Sequence, residues 1–383
     1  MKRVLSMAML ALGIMALVLG CAPASKEIKV GVLCGLTGPA PSFGQSEKDG
    51  IMLAINEWNA KGGVNGQKIV PVVEDGQCDA TASVNAANKV LNQDKVKFVL
   101  GETCSGSTIP VTEITNQAKV VLMAATATNQ NVTVDKSGKT KDYTFRVCYI
   151  DPFQGGILGQ FAADKLKAKK AFIMYDQGND YTIGLAKSFE EKFTAAGGTI
   201  VGKETYTKTD TDFSAILAKA KAAKPEVILL PDYYNIVNLV MKQAKEKGIS
   251  TPFVGGDGWD SPDLDKKVAE GGYYTNHYSA DDPRPEVQNF LKSFGEAYKD
   301  DAGKARVPDA FAVLGYDAAN LLFTGIQEAK STSSDKVKTA LENIKFSGVT
   351  GSLTMDKSHN PVKSLTILHI KGGKVVFDSV VQP

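Results

Sequence analysis

Short apolar runs alternate with amphipathic helical stretches through most of this chain, and that alternation leaves few folds open to it. Ile28 to Leu33 (IKVGVL) is an unbroken apolar run that reads as a buried strand. A helix with Ile51, Leu53, Ala54 and Ile55 on its apolar side follows and stops at Gly62–Gly63. Residues 67–75 then read as a strand, 80–93 as a helix, 96–100 as a strand, 109–118 as a helix and 120–129 as a strand. Strands spaced by single helices predict an α/β fold with a doubly wound parallel sheet. After YTFRVCYID (143–151) the rhythm starts again, with strands at 170–176, 199–206, 227–234 and 251–259. Each half runs for about 120 residues, a domain each. From Gly271 the pattern changes to two long helices, 285–300 and 309–329, and a hairpin at 364–379 that turns on Gly372–Gly373. The reading is two lobes facing each other across a cleft, with the last third completing both. The first lobe takes 28–148 plus 280–350, the second 149–279 plus 351–383. The lobes join near 147–151, 277–280 and 348–353.

In an open parallel sheet, ligands bind beyond the carboxyl ends of the strands. Gly101 to Asn129 supplies two such ends, GETCSGST and ATATN, both rich in hydroxyls. Ser105, Ser107, Thr126 and Thr128 therefore converge on one crevice. The free N–H groups at the helix start there suit an anion such as a carboxylate. The competing reading is that Ser107 or Thr108 caps the helix.

A net charge of +2 without a dominant basic run argues against a nucleic-acid partner. Met1 to Cys21 stands apart: Lys2 and Arg3 precede an apolar stretch, Val4 to Leu19, and VLGC. This reads as a secretory signal excluded from the fold. VLGC resembles a bacterial lipobox, in which Cys21 becomes the lipidated first residue; plain cleavage near Ala22–Ala24 is the alternative. Residues 22–27 would be a tether. Export permits disulfides. Cys78 and Cys104 each follow one of two neighbouring strands, so their pairing is favoured; Cys34 and Cys148 either pair or stay as buried thiols. No metal site is expected from three histidines and no CxxC.

Eight segments in order, IKVGVLCGLTGPAPSFG, GIMLAINEWNAKGGVNGQKI, EDGQCDA, GETCSGST, ATATN, YDQGNDYTIGLA, PDYYN and FVGGDG, resemble the type I periplasmic solute-binding family. More closely, they resemble the leucine/isoleucine/valine-binding proteins of ABC importers. The resemblance covers nearly the whole chain after the signal and implies two doubly wound lobes joined by a three-segment hinge around a ligand cleft. It implies a bound amino-acid zwitterion. Its carboxylate is held by Ser105 and the Thr126 and Thr128 region, with Tyr181, Tyr233 and Asp257 closing from the second lobe. Asp257 answers the ammonium where the family often has Glu, and Phe43 stands where the family places an aromatic over the ligand. A Cys78–Cys104 bridge matches a family disulfide. The chemistry agrees, because a desolvated zwitterion needs both charges answered. Tyr233 also reads as a strand end packed on the next helix, and Asp257 as a turn residue. Trp259 either lines the side-chain pocket or packs behind it.

The expected function is an extracytoplasmic, lipid-anchored, monomeric binding protein that captures an amino acid, branched-chain by family default, and delivers it to an ABC permease. An aromatic amino acid or an amide-type solute is the alternative ligand, and ligand sensing the alternative role. No cofactor is expected. Catalysis is disfavoured: GxSxG, HExxH, GxxxxGK[ST] and GxGxxG are all absent, and His277, His359 and His369 lie far in sequence from the hydroxyl cluster.

Overall fold

The computed structural model describes residues 27–382; the signal segment, Cys21 and residues 22–26 of the tether lie outside the described residues. Five strands build the first sheet: β1 (Glu27–Cys34), β2 (Lys68–Asp75), β3 (Phe98–Gly101), β4 (Val121–Ala124) and β5 (Thr144–Arg146). All pair in parallel, in the order β2-β1-β3-β4-β5. Helices α1 (Pro41–Ala60), α2 (Ala80–Asn92) and α3 (Ser105–Gln117) make the crossovers. The chain leaves β1 toward β2 and returns on its other side as β3. The switch point therefore falls between the carboxyl ends of β1 and β3, where such folds bind ligands.

The second sheet contains β6 (Lys170–Asp176), β7 (Thr199–Tyr206), β8 (Val227–Leu229), β9 (Phe253–Gly255) and β10 (Tyr273–Asn276). Its helices are α4 (Asp151–Asp164), α5 (Asp180–Ala195), α6 (Ser214–Ala223) and α7 (Tyr234–Glu246). The chain then supplies α8 (Pro285–Ala297), α9 (Ala310–Ala329) and α10 (Ser334–Glu342). A small antiparallel sheet follows, made of β11 (Lys345–Gly348), β12 (Gly351–Met355) and β13 (Pro361–Val362). The hairpin β14 (Leu365–Lys371) and β15 (Lys374–Val381) closes the second sheet, in the order β15-β14-β10-β9-β8-β6-β7. Only this hairpin is antiparallel there.

The central parallel strands are buried on both faces, which is why they read as continuous apolar runs, while the edge strands β2 and β7 are half exposed. Val30, Val32, Phe98, Leu100 and Met123 pack under α1 and α9 in one core, while Leu33, Val99, Leu122 and Ala124 pack under α2 and α3 in another. The chain passes between the two sheets at 147–150 and 277–284, and a third time at 363–364. That third passage lies beyond the 348–353 expected from sequence. Those residues instead form the β11–β12 hairpin, with Leu353 in the core of the first sheet. Cys78 and Cys104 form a disulfide, and Cys34 and Cys148 are buried free thiols.

Candidate ligand-binding site

The site grows from the start of α3. The helix begins straight after the β3 strand end, with Cys104 as its N-cap and no side chain capping it. The Ser107 hydroxyl bonds Glu102 and the Cys104 carbonyl, and that of Thr108 bonds the Glu102 and Cys104 carbonyls, both at 2.8 Å. These two hydroxyls thus turn back on their own chain. Among the described residues the Ser105 and Gly106 N–H groups have no partner. Free N–H groups and the positive end of a 13-residue helix make an anion site. The Ser105 hydroxyl accepts the Asn129 N–H at 3.1 Å, so its own hydrogen remains to be donated. Thr126 gives its hydroxyl to the Thr103 carbonyl at 2.7 Å, tying the two strand ends together.

Facing this, α5 carries Tyr181 on its first turn and the β9 end carries Asp257. The Tyr181 hydroxyl donates to Asp257 Oδ1 and accepts the Gly258 N–H, both at 3.0 Å. Gly256 has no room for a side chain, because a Cβ there would run into the Tyr181 hydroxyl. The other carboxylate oxygen, Asp257 Oδ2, lies 2.9 Å from His277 Nε2. Burial depresses His277 to about 4 against the opposing pull of Asp257, so the ring is neutral at pH 7. Neutrality assigns the proton to Nε2, which donates to Asp257, and leaves Nδ1 buried without a partner. Each Asp257 oxygen still has a lone pair for a further donor.

Between these two ends lies a narrow cavity, largely filled by its own side chains in this closed arrangement. Ser105, Thr126 and Thr128 line it from the first lobe, and Tyr181, Tyr233 and Asp257 from the second. Phe43 and Phe311 form its apolar wall, stacked face to face at 3.9 Å. Phe43 also meets the edge of Tyr233 at 5.4 Å, and Tyr233 stacks on Tyr181. Direct bonds cross the cleft around the cavity: Asn129 Nδ2 to the Asp180 carbonyl (2.7 Å), Ala310 N–H to Asp260 (2.7 Å), and Ser42 to Asp263. The two lobes are closed on each other.

Ser107 turns back on its own chain and stays outside the lining, while seven of the nine residues singled out from sequence meet at this cavity. Trp259 does not. It is fully buried, gives its indole N–H to the Leu230 carbonyl at 3.0 Å, and packs in the second-lobe core behind the Asp257 turn. Its backbone follows Asp257, but the ring packs inward against Gly255, where a Cβ would strike the indole. Phe311 and His277 went unread. Residues 309–329 read as a helix without marking Phe311 for the site, and His277 reads as a hinge residue or a candidate base, not as a partner of Asp257.

A model of the periplasmic binding protein family matches residues 27–374. The chain belongs to this family. Among its relatives is the leucine-, isoleucine-, valine-, threonine- and alanine-binding protein of Pseudomonas aeruginosa, 29% identical over 336 residues and 87% of each chain. Two solved periplasmic binding proteins share the fold closely. The leucine-binding protein LivK of Thermotoga maritima is 30% identical, covering 93% of this chain and 99% of that one at a TM-score of 0.85. LivJ of Streptococcus pneumoniae, a branched-chain amino acid transporter substrate-binding protein solved with isoleucine, is 32% identical, covering 94% and 100% at 0.85.

Proposed function

We propose that this periplasmic binding protein captures a free amino acid with an aliphatic side chain between its lobes and delivers it to the permease of an ABC transporter. The observation that carries the reading is the opposite polarity of the cavity's two ends. An uncapped helix start with Ser105 and Thr128 suits a carboxylate, and Asp257, braced by Tyr181 and His277, suits an ammonium. The distance between them is bridged by Phe43 and Phe311, which suit an apolar side chain. The isoleucine-bound relative and the names of the others favour branched-chain amino acids. In this reading the lobes are 28–148 with 280–350 and 149–279 with 351–383, adjusted so that 351–362 stays with the first. Ligand contacts on both lobes hold the closed form, and Cys21 anchors the chain outside the cytoplasmic membrane.

A thermal-shift screen against the twenty amino acids and simple amides tests this. Ligand at 100 times its Kd stabilises by about 2.7 kcal/mol. A rise in Tm with leucine, isoleucine or valine is expected; a rise with amides alone would retire the zwitterion.

A further inference from the structure

We propose that Arg146 is a specificity-determining residue that makes the cavity select a carboxylate over its uncharged isostere, without touching the ligand. The proposal rests on the reading above, in which the ligand's carboxylate lies at the first-lobe end.

Arg146 closes β5 and is fully buried. Its Nη1 donates to the Ala127 carbonyl at 3.0 Å, and its Nη2 to the carbonyls of Asn129 (2.9 Å) and Gln130 (3.4 Å) and to the Thr133 hydroxyl (3.2 Å). Among the described residues no carboxylate lies within 4.0 Å of it. A buried charge ordinarily needs a paired counter-charge, because an isolated one is costly. Carbonyl dipoles answer the guanidinium here in place of an anion.

Those carbonyls belong to the loop whose other face lines the cavity. Ala127 stands between Thr126 and Thr128, both lining residues. In a planar trans peptide the C=O and N–H point in opposite directions. With the Ala127 carbonyl turned to Arg146, the Thr128 N–H of the same peptide points away from the guanidinium. Thr128 is 1% exposed, and its N–H has no partner among the described residues. The cation thus polarises a buried, unfilled donor on the cavity side of the loop.

The surrounding groups oppose only part of this positive field, with Asp151 and Asp356 acting on Arg146 from beyond salt-bridge distance. Burial raises Glu102 and Asp151 to about 7 and Glu47 to about 8, which keeps them largely protonated on the acidic side of neutral. The start of α3 adds positive potential of its own. An arriving carboxylate is the counter-ion the arrangement lacks, and burial shields the attraction from salt.

Calorimetry on the full chain with L-leucine and L-leucinamide, a carboxylate and its amide isostere, tests the proposal. Wild type should prefer leucine. Arg146→Met should weaken leucine by about 10-fold, within the roughly 0.5–2 kcal/mol by which residues without ligand contact shift a coupling, and leave leucinamide within about three-fold. Equal losses for both ligands would mean that Arg146 only holds the loop in place, and no loss for either would mean that it is silent; each overturns the proposal. If Arg146→Met does not fold, wild type decides: its preference for leucine must survive 0.5 M NaCl as compared with 0.05 M, and a preference lost in salt refutes a buried charge. If wild type binds neither ligand, the amino-acid reading fails on its own. The charge is then read with benzoate against benzamide, where Arg146→Met must still cost the acid more than the amide.

Discussion

Asp257→Asn isolates the charge on which the second half of the site depends. The substitution keeps the shape and removes the negative charge. The fold should tolerate it, because the Asn carbonyl oxygen still accepts the Tyr181 hydroxyl. The Asn amide group would then face His277 Nε2, which becomes an acceptor once the ring proton moves to the unpartnered Nδ1. Asp257 is 4% exposed, so the cost of breaking a buried pair applies, not the small value of a surface one. That cost is about 3–5 kcal/mol, or roughly 100- to 4,000-fold in Kd. Calorimetry with L-leucine at pH 7, alongside a thermal melt of the unliganded variant, reads the two effects separately. A Tm within a few degrees of wild type with a Kd raised at least 100-fold is expected. A loss of less than about ten-fold would refute the assignment of Asp257 to the ammonium.

Three further outcomes follow from buried groups elsewhere. Glu47, raised by burial from 4.5 to about 8, holds its proton more tightly folded than unfolded, so its contribution fades as pH rises from about 4.5 to 8. Glu47→Gln should therefore gain stability over wild type on going from pH 5 to pH 8, by an amount on the order of 4 kcal/mol at most. Urea denaturation giving the same difference at both pH values would exclude this. His277, lowered by burial from 6.5 to about 4, acts in the opposite sense. Its contribution is complete above pH 6.5 and is lost on acidification toward pH 4, by about 3 kcal/mol. His277→Gln keeps a donor for Asp257 and should flatten that acid limb in the same assay; an unchanged limb would count against it. Replacing Cys78 and Cys104 together by Ala opens a loop with a sequence separation of 26, which should cost about 3–4 kcal/mol. Because Cys104 leads into α3, leucine binding should weaken as well, and a variant with unchanged Tm and Kd would remove the bridge from the account.

Much of the first-lobe site was legible because it is local. Ser105, Thr126 and Thr128 sit at strand ends that period and apolar runs identify, and the sheet's winding brings adjacent ends together. Asp257 entered through the family resemblance, since its glycine-rich surroundings alone read equally well as a turn. What stayed hidden depends on contacts between distant segments. His277 reaches Asp257 only because β10 lies beside β9, a pairing that the strand's short, mixed run YYTN did not announce. Phe311 reaches Phe43 through the packing of α9 on α1. Trp259 shares the chemistry expected of a pocket wall, yet its ring fills the space left by Gly255 and Gly272 in the second-lobe core. The third passage between the sheets was expected too early, at 348–353, because β11, β12 and β13 are short and half exposed, which weakens their alternation.

A crystal structure of the chain grown with L-leucine tests the central claim most directly. The account predicts leucine in the cavity between the lobes, its carboxylate at the Ser105 and Thr128 end and its ammonium about 3 Å from an Asp257 oxygen. An empty cavity with leucine bound elsewhere, or a ligand turned end for end, would contradict it.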